Sequence, residues 1–320
     1  MAGELAIVLS GGGAKGAFQV GVLDELITKR GIKPKIVCGT STGAIQATAV
    51  AQNDVPKLVT QWLGIKGNSD IYTKRAFGAA GAIFGAKALY STKPLKNLLE
   101  GFVDEERLKK SKVELRLGVV DLQSGNFRTI DQKQPGIHNW VYASCAMPVF
   151  FDPLETKAAD GTRGQWVDGG VRDVTPLSAA MQFNPRGIIV VRASPKPGSS
   201  SQKYYDNLVE IGLRSVGIQQ SEVSINDVSN ATLINDLISA RENQFRLLEA
   251  RGITGAAATA LLQPWDITLA RYRFSPIRII EPSEEYSDTL EFNPTKIRAA
   301  IAAGRQAVAD QWDSLLPLLT

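Results

Sequence analysis

Residues 5–9, Leu-Ala-Ile-Val-Leu, form an uninterrupted apolar run, and Gly11-Gly12-Gly13 follow almost at once. A strand with no polar alternation offers no face to water, so it belongs in a sheet covered on both sides. Beyond the glycines, Phe18, Val22, Leu23, Leu26 and Ile27 recur on one side of a helix, which Gly31 and Pro34 punctuate. Residues 35–38 read as a second short strand and 42–51 as a helix of small residues. Strand, turn and helix, repeated, is the pattern of a parallel sheet with crossovers.

Further along, 94–101 and 104–110 read as short helices. Residues 113–120 and 127–130 read as strands around the turn Ser124-Gly125-Asn126. A helix over 136–146 stops before Pro148, 165–168 and 187–191 are strands, and 176–182 is the helix between them. The Gly/Ala-rich stretch 64–90 is a candidate cap or irregular packing. Residues 195–201 resemble a linker. Two long helical patterns follow, the second marked by Val228, Ala231, Ile234, Phe245 and Leu248; a strand over 277–280 and a helix over 294–316 close the chain. At 320 residues with 44% hydrophobic and 21% charged, the chain suits one large α/β domain. A core over 5–200 and a helical extension over 201–320 on the same domain are expected.

The sharpest local motif is Gly39-Thr40-Ser41-Thr42-Gly43, of the form G-x-S-x-G between a strand and a helix. Such a turn lifts the Ser41 hydroxyl to the carboxyl end of the sheet. It also aims the first amides of the next helix, Thr42 included, at developing negative charge. The flanking Gly39 and Gly43 leave room for neighbouring backbone. The alternative is a tight turn with a bystander serine.

Gly11-Gly12-Gly13-Ala14-Lys15-Gly16 also fits the dinucleotide fingerprint G-x-G-x-x-G. That reading wants an acidic residue closing the second strand, whereas 35–38 is Lys-Ile-Val-Cys, followed by Gly39. A Walker A loop is excluded because Gly16 follows Lys15. In a hydrolase, the same glycine amides would form an oxyanion hole, with Lys15 adding charge near it or capping the turn.

A serine nucleophile needs a base. The chain has one histidine, His138, whose place after Ser41 departs from the usual α/β-hydrolase order. The other candidate is Asp168, in Asp168-Gly169-Gly170 at a strand end. Burial would raise its pKa and donated backbone hydrogen bonds would lower it; the bland reading is an Asp-Gly turn.

In this order, Gly11–Gly16, Gly39–Gly43 and Asp168-Gly169-Gly170 resemble the motif set of patatin-like phospholipases. Ala143-Ser144-Cys145-Ala146-Met147-Pro148 with Phe150 and Phe151, and Thr175-Pro176, resemble the family's intervening segments. The likeness covers residues 5–192. It implies a three-layer α/β sandwich with a mainly parallel central sheet flanked by helices. It implies a Ser41–Asp168 dyad without histidine, an oxyanion hole from Gly11, Gly12 and Gly13 with Thr42, supporting roles for Gly16, Gly169 and Gly170, and cleavage of phospholipid or related acyl esters without metal or cofactor. The family usually carries arginine where this chain has Lys15; an ammonium lacks the guanidinium's fork of donors. An acyltransferase using the same residues is the nearest alternative, and a nucleotide-binding α/β domain a more distant one.

Cys38 and Cys145 read as small buried apolar residues, without a disulfide framework or metal-ligand spacing. No secretory signal is read at the N-terminus, and no uncharged apolar run reaches membrane-spanning length. The expectation is a cytoplasmic protein, with transient contact at membrane surfaces compatible with its net charge of +4. The scattered basic residues lack the aromatic interleaving of a nucleic-acid surface.

Overall fold

The computed structural model describes residues 4–75, 85–196 and 204–319. Residues 76–84 of the candidate cap and 197–201 of the linker-like stretch lie outside the described residues. Strand β1 (Leu5–Leu9) is buried throughout, as its run of apolar side chains requires. Helix α1 (Ala17–Leu23) leads on to β2 (Ile36–Thr40), which pairs parallel with β1. Then come α2 (Thr42–Ala51) and α3 (Val55–Gly64). A small antiparallel pair, β3 (Thr73–Lys74) and β4 (Tyr90–Ser91), is followed by α4 (Lys93–Phe102) and α5 (Glu105–Lys109).

The main sheet continues with β5 (Glu114–Asp121) and β6 (Phe127–Ile130), then α6 (Ile137–Ser144), β7 (Leu154–Lys157) and β8 (Arg163–Asp168). Helix α7 (Leu177–Met181) precedes β9 (Gly187–Val191). The chain ends with α8 (Leu208–Ala250), α9 (Gly255–Leu269), β10 (Ile277–Ile280) and α10 (Pro294–Leu319). The eight-stranded sheet runs β10-β9-β1-β2-β5-β8-β7, with β6 also on β5. Its first five strands are parallel; β6, β7 and β8 are joined antiparallel.

Strand alternation divides the core in two. Leu5, Ile7, Leu9 and Val37 pack with α1, α2, α6 and α10 on one face. Ala6, Val8, Ile36 and Cys38 pack with Leu177, Ala180, Val228 and Ala231 of α7 and α8 on the other. The result is the expected three layers with a mainly parallel centre.

The structure adds α3, the β3–β4 pair and α9, which the sequence reading did not contain, and three further differences bear on the site. Strand β7 was not anticipated: its residues alternate between half-buried and exposed at the sheet edge, so it carries almost no apolar signal. The two helical patterns after 201 are one 43-residue helix, α8, about 65 Å long at the usual rise. It buries Ser224, Val228, Ala231 and Asn235 where it crosses the sheet, and afterwards only Leu248. Finally, β8 runs antiparallel to β5, with Asp168 opposite Val119. Asp168 therefore reaches the carboxyl edge from the opposite direction, not as the end of a parallel strand. Among the described residues no helix is long and apolar enough to cross a membrane.

Candidate active site

Strand β2 delivers Ser41 into the turn before α2. The backbone there has φ 58° and ψ −127°, a conformation that costs a non-glycine residue about 1–3 kcal/mol and persists only where the surroundings impose it. The glycines make the turn possible. A Cβ on Gly39 would lie 2.2 Å from the Gly43 carbonyl oxygen, and one on Gly43 would lie 2.4 Å from that of Leu9. The strained residue is pinned from α6: the Ser41 amide donates to Ser144 Oγ at 2.9 Å, and Ser144 Oγ donates to the Gly118 carbonyl at 2.6 Å. The Ser41 side chain makes no capping bond to α2, which leaves its hydroxyl for Asp168.

Asp168 is 2% exposed at the end of β8. The Gly170 amide donates to its Oδ1 at 2.7 Å, and its own amide donates to the Ala146 carbonyl at 3.0 Å. The two influences weighed from sequence are therefore both present, and burial dominates. Desolvation pushes the carboxyl up to about 7, against hydrogen bonds from the Ser41 side chain and the Gly170 amide. A carboxylate of that basicity, beside a serine hydroxyl, is matched to accept a proton near neutral pH.

The glycine loop divides its amides among different tasks. Gly11 N–H donates to the Val174 carbonyl at 3.0 Å, and Ala14 N–H to the Thr289 carbonyl at 2.9 Å. Gly11 therefore cannot act as an oxyanion donor as expected; its amide is spent on holding the loop. Among the described residues no acceptor takes the amides of Gly12 and Gly13. Gly13 has φ 58°, and a Cβ there would sit 2.1 Å from the Thr289 oxygen. Thr42 opens α2, so its amide is among the unsatisfied first-turn donors of that helix.

The Thr289 carbonyl also bears on the nucleotide alternative, because it occupies the Ala14 amide that a pyrophosphate would need. Lys15, beside the glycine loop, is engaged in an ion pair. Its ammonium is 2.7 Å from Glu285 Oε1, with the side chain 9% exposed. His138, half-buried in the first turn of α6, acts electrostatically on Glu105 and does not line the cavity at Ser41.

That cavity holds about 900 Å³ including its mouth. Gly13, Ser41, Thr42 and Asp168 form its polar end. Leu58 and Trp62 of α3, Leu95 and Leu99 of α4, Met147, Phe151 and Phe292 form an apolar wall. Several contributors escaped the sequence reading. Ser144 was visible only as part of a motif. Gln220 on α8 and Thr289 line the cavity from the region after residue 201, and neither carries a local signal. Cys145 also lines it; burial, with the nearby Asp168 charge, raises its thiol pKa well above the ordinary value.

A family model described as patatin-like phospholipase matches residues 7–181. The uncharacterised protein YqhO of Bacillus subtilis strain 168 is 26% identical over 223 residues, covering 64% of this chain and 76% of that protein. Triacylglycerol lipase ptl3 of Schizosaccharomyces pombe is 51% identical over 49 residues, 15% of this chain and 10% of the lipase. Triacylglycerol lipase SDP1L of Arabidopsis thaliana is 25% identical over 233 residues, 60% of this chain and 28% of the lipase. The matches thus span only a minor part of the two lipases. Among solved structures, VipD from Legionella pneumophila aligns with a TM-score of 0.46 and 17% identity, over 98% of this chain and 67% of that one.

Proposed function

This chain belongs to the patatin-like phospholipase family, and from that premise we propose that it hydrolyses lipid acyl esters with Ser41 as nucleophile and Asp168 as base. The observation that carries the reading is the Ser41–Asp168 pairing at the polar end of an apolar cavity. The similarity to two triacylglycerol lipases supports an acyl ester substrate.

In the proposed reaction an acyl chain lies along Leu58, Trp62, Leu95 and Phe292, with its ester carbonyl at Ser41. Each buried methylene contributes about 0.8 kcal/mol to that placement. Asp168 takes the Ser41 proton as Oγ attacks the carbonyl carbon. The amides of Gly12, Gly13 and Thr42 receive the oxyanion, with the N-terminus of α2 behind them. Asp168 returns the proton to the departing alcohol, leaving an acyl-serine. Water then gives its proton to Asp168 and attacks the acyl carbon, and the fatty acid leaves as Ser41 is reprotonated. Gly11 contributes by fixing the loop to Val174, and Ser144 by holding the Ser41 amide.

The test is a hydrolysis panel of phospholipids, lysophospholipids and triacylglycerols with the purified protein and Ser41→Ala. Release of fatty acid from at least one class, lost in the variant, is expected. Release that survives Ser41→Ala would refute the assignment. Product analysis with added glycerol or lysolipid separates hydrolysis from acyl transfer at the same acyl-serine.

A further inference from the structure

The segment Asp173-Val174-Thr175 touches all three motifs of the site. The Asp173 amide donates to the Gly169 carbonyl at 3.0 Å, beside the base. The Asp173 carbonyl accepts from Thr40 Oγ1 at 3.1 Å, on the strand that delivers Ser41. The Val174 carbonyl accepts the Gly11 amide at 3.0 Å, in the glycine loop. A shift of this segment would therefore move nucleophile, base and oxyanion donors relative to one another.

Helix α8 holds the segment from behind. Asp227 Oδ2 accepts the Thr175 amide at 3.2 Å, and Ser224 Oγ lies 2.7 Å from Thr175 Oγ1 in a shared hydrogen bond. The Asp227 carboxyl also faces that of Asp173. Asp173 Oδ1 is buried and, among the described residues, has no donor. Two ionised carboxylates in contact repel; one shared proton both removes the repulsion and supplies the missing donor. Burial raises both groups, and for Asp173 the facing carboxylate adds to the shift.

The other charged and titratable groups around the pair do not replace that proton. Cys38 on β2 is a neutral thiol, pushed up to about 12 by burial, and Arg116 on β5 acts on it. Arg192, just after β9, is held through Nε and Nη1 by Ser224 and Glu281, and its buried Nη2 is not bonded to Asp173 or to any other of the described residues. Arg172 donates to the Gly125 carbonyl, and Asp168 stands at the far end of the loop, bonded to Gly170.

We propose that Asp227, joined to Asp173 by one shared proton, is a positioning residue for the hydrolysis, clamping residues 173–175 so that Ser41, Asp168 and the glycine loop stay aligned. The catalytic side of this inference rests on the hydrolase reading; the clamp itself can be read without it. Because the clamp needs a proton and Asp168 must lose one, activity should peak near neutral pH and fall on the alkaline side. In Asp227→Asn the amide keeps an acceptor for Thr175 and offers Asp173 a permanent donor, so the clamp no longer depends on a proton.

The experiment compares kcat and KM from about pH 5 to pH 9, together with melting temperature over the same range, in wild type, Asp227→Asn and Asp227→Ala. Wild type should lose about fivefold or more of its kcat on the alkaline side, and Asp227→Asn less than about twofold. Asp227→Ala should lose about tenfold in kcat near neutral pH with KM nearly unchanged, and the gap to wild type should narrow on the alkaline side. The melting temperature should fall with rising pH less steeply in Asp227→Asn than in wild type, because the folded pair holds a proton that the unfolded carboxyls have released. A wild-type profile without an alkaline limb, the same limb in Asp227→Asn, or equal pH dependence of melting would overturn the clamp. Absence of any lipid hydrolysis by wild type would sink the hydrolase reading and the positioning role with it, while the melting comparison still decides whether the pair shares a proton.

Discussion

At the carboxyl edge of the sheet, one added methyl at Gly39 would sit 2.2 Å from a backbone oxygen. Along the outer part of α8 and on α9, Leu247, Leu261 and Ile267 stand 50%, 57% and 70% exposed. One region leaves no atom of freedom, and the other leaves large apolar side chains half or more exposed. The contrast shows where the fold concentrates its constraints. Close backbone contacts are needed where a strained residue must be held, and the fully buried side chains of α8 lie mainly between Ser224 and Asn235, where it lies on the sheet. Beyond that, its outer part and α9 share a small separate cluster of Leu248, Ala258 and Leu262.

Substitutions that cross this contrast should separate sharply. The largest effect is expected at Ser41: Ser41→Ala should lower kcat by about 10⁴-fold or more, measured as fatty-acid release, without loss of thermal stability, since the strained backbone remains and only the hydroxyl goes. Next is Gly43→Ala, which would place a Cβ 2.4 Å from the Leu9 oxygen. It should destabilise by about 3 kcal/mol or more in denaturant unfolding, the scale of overpacking and backbone strain combined.

The pH dependence comes third. Asp168 is pushed up to about 7, chiefly by burial, so kcat/KM should fall about tenfold per pH unit on the acid side of that value. The stability effect has the opposite sense. A carboxyl held above its unfolded value of 3.8 stabilises the fold fully below that pH, and the contribution is lost as pH rises through about 7. Asp168→Asn should abolish activity and also flatten this decline, read from melting temperature against pH. The smallest effect belongs to the outer helices: Leu261→Ala should change unfolding free energy by no more than about 0.5 kcal/mol. A large loss there would break the contrast, because it would mean the exposed face is covered by something in solution.

The division also explains what could be seen in advance. Runs such as 5–9 and 187–191 announce buried strands because no polar residue interrupts them. Gly39 and Gly43 are legible because backbone contact there tolerates no side chain. Strand β7 was invisible because Leu154, Glu155, Thr156 and Lys157 lie half-buried or exposed at an edge. The 43-residue length of α8 was hidden because so few of its residues are buried that no continuous apolar stripe joins the two patterns. The glycine loop was recognisable as a unit, yet which of its amides are free depends on Val174 and Thr289, far along the chain. The same holds for Ser144, Gln220 and Asp227: their importance is a matter of where distant segments meet, and no local pattern records it. The balance between burial and hydrogen bonding at Asp168 likewise needed the three-dimensional surroundings.

The central claim, a serine activated by an aspartate without histidine, is tested most directly by covalent labelling with a fluorescent alkyl phosphonate. The probe should modify the wild-type protein and His138→Ala at comparable rates, fail to modify Ser41→Ala, and modify Asp168→Asn at least about a hundredfold more slowly. Peptide mapping should place the adduct on Ser41. Labelling that persists in Ser41→Ala, or that disappears in a folded His138→Ala, would contradict the dyad.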